Sequence, residues 1–214
     1  MGESSKTGEV HDSGPLILLP GSRGGELRRH LPIMRELALE LAKQPNVTEL
    51  VLPTLPSLRA RLTQEIQSWP TAVTLVDDRV KRQQLYSKAI AAVCVSGTVT
   101  LELAMARVPM AVIYALDAHQ ARVFERLGKP AVSLPNIILG RNVVPELVSR
   151  DLSSEMVGTT LLDLIGNKKA RQAQVDAFSE LAELMEAGQP PHGKEDPAEQ
   201  ILSLWRNQRL LIGS

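Results

Sequence analysis

Short apolar runs alternate with segments of helical spacing along most of this 214-residue chain. The first run, Leu16 to Leu19, contains no polar residue, as expected for a strand that is buried on both faces of a sheet. The segment from Pro32 repeats apolar residues three and four positions apart, and proline favours the first turn of a helix, so a helix is predicted to begin there. Strands are predicted at 16–19, 47–52, 72–76, 90–95 and 109–114, with helices from Pro32 and from Thr98 and at 58–67, 80–88 and 118–127.

This alternation predicts an α/β fold: a doubly wound, mostly parallel, Rossmann-like sheet with helices on both faces. Ligands bind such sheets beyond the carboxyl ends of the strands. One domain is predicted over residues 15–187, with amphipathic helices at 153–166 and 168–187. The polar residues 1–14 are predicted to be a disordered tail, and residues 188–214 a linker and a closing helix at 196–211.

Two loops that follow predicted strands carry residues suited to binding phosphate. The segment PGSRGGE, residues 20–26, combines three glycines with Ser22 and with Arg23, whose guanidinium is a forked cationic donor. The segment SGT, residues 96–98, begins a helix whose N-terminal amides and dipole favour an anion. Glu102 lies one turn beyond Thr98 on the same helix face, where its carboxylate could accept hydrogen bonds from a ribose diol.

A plain strand-to-helix connection would give the same pattern, with an ordinary cap at the SGT segment and Glu102 complementing the helix dipole. The residues alone leave both interpretations open. The sequence contains neither G-x-G-x-x-G nor G-x-x-x-x-G-K-[ST], which disfavours a nicotinamide dehydrogenase and a nucleoside triphosphatase. A nucleotide-sugar site is the remaining candidate, with both loops facing one crevice.

Composition excludes several other functions. The 24 basic and 24 acidic residues cancel and aromatic residues make up 3%, so a nucleic-acid partner is not expected. The single cysteine, Cys94, lies in an apolar run and is predicted to be a buried thiol. No apolar run reaches the roughly 18 residues of a membrane span, and the polar N-terminus predicts a cytosolic chain. The four histidines show no metal-ligand spacing and are predicted to be scattered on the surface, so no metal is expected; they are His11, His30, His119 and His192.

A third segment, residues 131–148, mixes polar residues with apolar ones. Asn136 follows a predicted short strand in it, and a buried amide side chain needs hydrogen-bond partners. Two roles are open for Asn136. It could act at the reaction centre, or it could bond neighbouring backbone and shape a turn.

The three segments PGSRGGE, SGTVTLELAMARVPMAVIY and VSLPNIILGRNVVPEL resemble, in this order, signature segments of the lipid-A-disaccharide synthase family, and the likeness covers residues 16–205. The resemblance implies an inverting hexosyltransferase of the two-domain B-type fold that needs no cofactor. Such enzymes join UDP-2,3-diacylglucosamine to 2,3-diacylglucosamine 1-phosphate and release UDP. The resemblance implies catalytic roles for Arg23 and Asn136 and a UDP site formed by Gly21, Ser22, Arg23, Glu26, Ser96, Gly97, Thr98 and Glu102.

The likeness falls on the C-terminal, donor-binding half of that family, so this chain is expected to be a fragment or split subunit that lacks the catalytic base. Its expected partners are the UDP-diacylglucosamine donor, the acylated glucosamine 1-phosphate acceptor, and an N-terminal half or second chain. The family implies a peripheral position on the cytoplasmic face of the inner membrane. Two alternatives stay open: a non-catalytic sugar-nucleotide-binding module that acts with a partner chain, and a UDP-sugar epimerase-like enzyme.

Overall fold

A computed structural model describes residues 10–187 of the chain. The strands are β1 (Gly14–Leu19), β2 (Val47–Pro53), β3 (Thr74–Val76), β4 (Ala91–Val95), β5 (Met110–Ala115) and β6 (Glu146–Ser149). The helices are α1 (Gly24–Ala42), α2 (Arg59–Ile66), α3 (Arg79–Tyr86), α4 (Thr98–Met105), α5 (Ala118–Arg126), α6 (Leu134–Leu139), α7 (Ser154–Gly166) and α8 (Lys168–Ala187). A short 3-10 turn, Pro56–Leu58, precedes α2.

The strands form one parallel sheet in the order β3-β2-β1-β4-β5-β6. From β1 the chain moves outward to β2 and β3, then returns to the other side of β1 to place β4. The boundary between β1 and β4, where Leu19 pairs with Cys94, is therefore the point at which the direction of winding reverses. The predicted doubly wound parallel fold is confirmed, and a crevice at this reversal point is where such sheets bind ligands.

Alternate residues of the central strands supply two separate cores, one on each face of the sheet. Leu16 and Leu18 pack toward the face covered by α1, α2 and α7, whereas Ile17 packs toward α3, α4, α6 and α8. Cys94 is fully buried in the second core, as the sequence predicted, and burial raises the pKa of its thiol. The two cores fix both faces of the sheet, and they leave the strand ends to form a site.

Two predicted boundaries are wrong. Helix α1 begins at Gly24 instead of Pro32, which lies inside the helix, because Glu26 caps the amides that precede α1 and stabilises an earlier start. The short strand predicted directly before Asn136 is not formed: α6, which contains Asn136, follows α5 with no strand between them. The sixth strand follows it instead, because Glu146–Ser149 pairs with the edge of β5.

The predicted terminal segments fall mostly outside the described residues. Residues 188–214, including the linker and the closing helix, lie wholly outside them, as do residues 1–9 of the predicted tail. Within the rest of that tail Val10 is buried and Gly14 already belongs to β1. No helix between residues 10 and 187 is both long enough and apolar enough to cross a membrane.

Candidate nucleotide site

The loop after β1, residues 20–23, is held in shape by the first turn of α1. The Glu26 carboxylate accepts hydrogen bonds from the backbone amides of Ser22 (3.0 Å) and Arg23 (3.2 Å). It also pairs with the Arg23 guanidinium at 3.0 Å, although that side chain is 84% exposed. Gly21 has a φ of +97°, a left-handed conformation that favours glycine. Ser22 and Arg23 therefore project from a fixed turn into solvent.

Glu26 is ionised and buried at this turn. Burial raises the pKa of its carboxyl, but the amides of Arg23 and Ser22 and the Arg23 guanidinium together lower it more, so the pKa of Glu26 lies below its usual value. A carboxylate that already accepts hydrogen bonds from these three donors gains little from contact with a phosphate, because the two groups carry the same charge. The contacts give Glu26 a role in shaping the loop, and its predicted direct contact with UDP stays a prediction.

The second loop connects β4 to α4 through residues 96–98. Gly97 has a φ of +149° and open space where a Cβ would stand. The Thr100 hydroxyl donates to the Gly97 carbonyl at 2.8 Å and the Ser96 hydroxyl donates to the Val132 carbonyl at 2.7 Å. The first amides of a helix have no acceptor within that helix, so the start of α4 offers N–H groups to a ligand.

Both loops border one cavity of about 420 Å³ at the reversal point of the sheet. The eight residues predicted to bind UDP all line it: Gly21, Ser22, Arg23, Glu26, Ser96, Gly97, Thr98 and Glu102. The prediction that the two loops face one crevice is confirmed. Their binding of UDP stays a prediction.

The wall of this cavity also contains residues that the sequence did not single out. Arg82 of α3 lies with its Nε 3.4 Å from Oε1 of Glu102, whose side chain is 49% exposed. Thr54 and Tyr86 contribute buried hydroxyls that have no hydrogen-bond partner among residues 10–187. Burial, and next the charge of Glu102, raise the pKa of Tyr86. No motif marks these positions, because only the fold brings α3 and the end of β2 to the same opening.

Asn136 is not among the residues that line this cavity. It is 2% exposed, and its amide nitrogen donates to the Val144 carbonyl and to Glu146, both at 2.8 Å. Its carbonyl oxygen accepts from the amides of Val143 (2.8 Å) and Val144 (2.9 Å). These contacts match the turn-shaping role that the sequence left open, and a reaction-centre role stays a prediction.

His30 is fully buried, so the prediction of a surface histidine is wrong at this position. Its Nδ1 lies 2.8 Å from the Glu26 carbonyl and must carry the proton, because a carbonyl only accepts. Its Nε2 accepts from the Ala115 amide at 2.9 Å. The ring thus ties the start of α1 to the end of β5, and this single tautomer requires a neutral ring.

The burial of His30 predicts a pH-dependent stability. Burial lowers the pKa of His30, and the hydrogen bond to Glu26 only partly opposes this. Below the unfolded-state pKa of about 6.5 the unfolded chain binds the extra proton, so the free energy of unfolding should fall as pH falls. We expect His30→Gln to reduce this slope in denaturant melts between pH 7.5 and 5.5. The control His119→Gln, at an exposed position, should keep it, and equal slopes in wild type and His30→Gln would contradict the prediction.

The fold is shared by several solved structures. WaaG, "a glycosyltransferase involved in lipopolysaccharide biosynthesis", matches 81% of this chain and 44% of its own with a TM-score of 0.51 and 18% identity. S. aureus TarM, in a structure with UDP, matches 94% of this chain and 37% of its own with a TM-score of 0.55 and 13% identity. A UDP-GlcNAc 2-epimerase from Neisseria meningitidis matches with a TM-score of 0.52 and 17% identity over 83% of this chain and 46% of its own. At these identities the likeness shows the fold and does not separate transferase from epimerase.

Sequence comparison separates them. The chain is 34% identical over 174 residues to the lipid-A-disaccharide synthase of Bradyrhizobium diazoefficiens, and 35% identical over 180 residues to that of Gluconobacter oxydans. These matches cover 81% and 83% of this chain but 44% and 42% of the relatives, so the chain spans less than half of their length. The family model described as lipid-A-disaccharide synthetase matches residues 3–194. The chain therefore belongs to the lipid-A-disaccharide synthase family.

Proposed function

We propose that this chain holds the donor nucleotide of a glycosyltransferase that joins UDP-2,3-diacylglucosamine to 2,3-diacylglucosamine 1-phosphate and releases UDP. The observation that carries the proposal is the single cavity where the loops after β1 and β4 meet at the reversal point of the sheet. Family membership supplies the reaction class, because its members are named for this product.

Each side of the cavity suits one part of a nucleoside diphosphate. Arg23, the Ser22 hydroxyl and the first amides of α4 are the donors for the diphosphate. Glu102 is the acceptor for the ribose hydroxyls. The diol would donate to one oxygen of its carboxylate, next to the contact of Glu102 with Arg82. The hydroxyls of Thr54 and Tyr86, which have no hydrogen-bond partner within the described residues 10–187, favour a polar ligand here, since a buried hydroxyl without a partner is costly.

In this reaction the acceptor hydroxyl loses its proton to a base as it attacks the sugar carbon, and the bond from that carbon to the diphosphate breaks. The charge gathers on the departing UDP. Arg23 and the amides of α4 would stabilise that charge, and stabilisation of developing charge is commonly the largest contribution to such catalysis. We propose that the base and the acceptor site come from the part of the relatives' length that this chain does not match, as a partner chain or domain.

We further propose that the site works at the cytoplasmic face of the inner membrane. The proposed donor and acceptor both carry acyl chains, which partition into a bilayer, while their polar heads would enter the cavity. A peripheral position would let the cavity reach these heads.

Calorimetry with UDP and UMP tests the nucleotide proposal. UDP should bind more tightly than UMP, because the second phosphate gains Arg23 and helix amides. Arg23→Ala should weaken UDP binding by about ten-fold and reduce its advantage over UMP, whereas Glu102→Ala should weaken both nucleotides about equally, as expected for a charged hydrogen bond worth about 1.5–3 kcal/mol. Glu180→Ala is the matched control, because Glu180 is equally exposed and ion-paired but belongs to α8. Unchanged UDP affinity in both Arg23→Ala and Glu102→Ala would refute the proposal.

A further inference from the structure

Glu146, the first residue of β6, gathers donors from a neighbouring segment. Its Oε2 accepts from the Val132 amide at 3.0 Å. Its Oε1 accepts from the amide (2.8 Å) and the hydroxyl (2.5 Å) of Ser133, and from the amide nitrogen of Asn136 at 2.8 Å. Ser133 is fully buried and Asn136 is 2% exposed, so the donors of these two residues have no access to water as an alternative partner. One carboxylate therefore holds residues 132–136 against the edge of the sheet.

The same segment holds the SGT loop from its other side. The Val132 carbonyl accepts the hydroxyl of Ser96 at 2.7 Å, and the Leu134 amide donates to the Thr100 hydroxyl at 3.2 Å. That hydroxyl in turn donates to the Gly97 carbonyl. Hydrogen bonds and the backbone of residues 132–134 thus connect Glu146 to Ser96 and Gly97 of the SGT loop.

This path changes how Ser96 can contribute. A serine hydroxyl has one hydrogen, and here it goes to Val132, so none remains to donate to a phosphate. The hydroxyl therefore acts on a bound anion only through the position it gives to the loop backbone. The position of the Ser96 hydroxyl depends on Val132, which Glu146 holds.

We infer that Glu146 is a positioning residue for the nucleotide site: it fixes residues 132–134, and through Ser96 and Thr100 it sets the SGT loop and the start of α4 for phosphate binding. The inference rests on the proposed function. Glu146 does not line the cavity, so its effect on the nucleotide is indirect.

The charge of Glu146 matters because every partner is a donor. Glutamine has the same shape, but one of its terminal atoms is an NH₂ group that accepts nothing. With its oxygen toward Ser133, the NH₂ of Glu146→Gln would face the Val132 amide, and two donors would oppose each other. The variant should therefore release Val132 and loosen its hold on Ser96.

A double-mutant cycle on UDP affinity tests the inference, with wild type, Glu146→Gln, Ser96→Ala and the double variant. We expect each single change to weaken UDP binding by about five-fold. The dissociation constant of the double variant should be no more than about twice that of the weaker-binding single variant, because both changes break the same path. Glu180→Gln is the matched control and should bind UDP like wild type. A merely structural role of Glu146 would lower the melting temperature but leave UDP affinity in the folded protein unchanged.

The outcomes are separable. Failure of the wild-type chain to bind UDP would overturn the proposed function and this inference with it. Wild-type binding with unchanged affinity in Glu146→Gln, or with the two losses multiplying to about 25-fold in the double variant, would overturn the inference alone. If Glu146→Gln does not fold, Glu146→Asp replaces it in the cycle with the same expectations, since the shorter side chain cannot reach Val132 and Ser133 together.

Discussion

Replacing Asn136 by alanine is expected to lower the free energy of unfolding by about 3 kcal/mol and the melting temperature by about 10 °C. The side chain is 2% exposed and makes four hydrogen bonds, two of them from the amides of Val143 and Val144. Alanine would leave the buried amide of Val144 and the partly buried amide of Val143 without this acceptor, at up to about 1–3 kcal/mol each. Thermal and denaturant melts measure the loss.

The exposed neighbour Asn142 provides the control, because Asn142→Ala should change stability by less than about 0.5 kcal/mol. Asn136→Asp keeps the shape of the side chain but removes its amide donor. It keeps an acceptor for Val143 and Val144 but places a second carboxylate beside Glu146, so it should also destabilise the fold. An Asn136→Ala variant with normal melting temperature and UDP affinity, yet no activity in a complete enzyme, would support the reaction-centre role instead.

The sequence was sufficient to predict the central sheet. Runs such as Leu16 to Leu19 and Ala91 to Val95 are apolar at every position, because both faces of these strands are buried. Such runs are typical of central strands of a parallel sheet. The edge strand β6 was missed for the complementary reason. It is only four residues long, includes Glu146 and Ser149, and none of its residues is fully buried, so it lacks the apolar signal.

The residues of the candidate site likewise fall into some that the sequence could place and some that it could not. The residues of the GSR and SGT loops directly follow strands, so the strand ends determine where these loops lie. The prediction that both loops face one crevice is therefore confirmed. Arg82 and Tyr86 belong to α3, a polar helix that precedes β4 in the chain. No local sequence pattern indicates that they line the cavity. The resemblance implies ligand or catalytic roles for Glu26 and Asn136, and these roles stay predictions. In the structure both side chains accept hydrogen bonds from neighbouring backbone amides, contacts that local sequence does not reveal.

His30 shows why a single polar residue is hard to interpret. It stands among charged residues in α1, so the sequence suggests an exposed position. Its burial depends on the amide of Ala115, 85 positions away in the chain, which only the packing of α1 against β5 brings within reach. The hydrogen-bond donor to a buried ring nitrogen of this kind is a tertiary feature, and the local sequence pattern carries no information about it.

Gly21→Ala is expected to weaken UDP binding by about 30-fold, because it distorts the turn that presents Ser22 and Arg23. At a φ of +97° an alanine is strained by about 1–2 kcal/mol. The added Cβ would also stand 2.4 Å from Oε2 and 2.7 Å from Cβ of Glu26. The carboxylate could rotate away, but the Cβ is fixed to the backbone of α1, so the loop itself must shift. Because Glu26 organises the amides of Ser22 and Arg23, that shift removes the turn that presents Arg23.

Gly24→Ala is the matched control, three residues further along. Its added Cβ would lie 4.0 Å from the nearest atom, a guanidinium nitrogen of Arg61, and its backbone is already helical. Alanine is favoured over glycine in a helix by up to about 1 kcal/mol, so this variant should keep or slightly raise the melting temperature and change UDP affinity by less than about three-fold. Calorimetry and thermal melts on the pair decide the matter. Equal UDP affinities for Gly21→Ala and wild type would show that the turn held by Glu26 does not shape the nucleotide site.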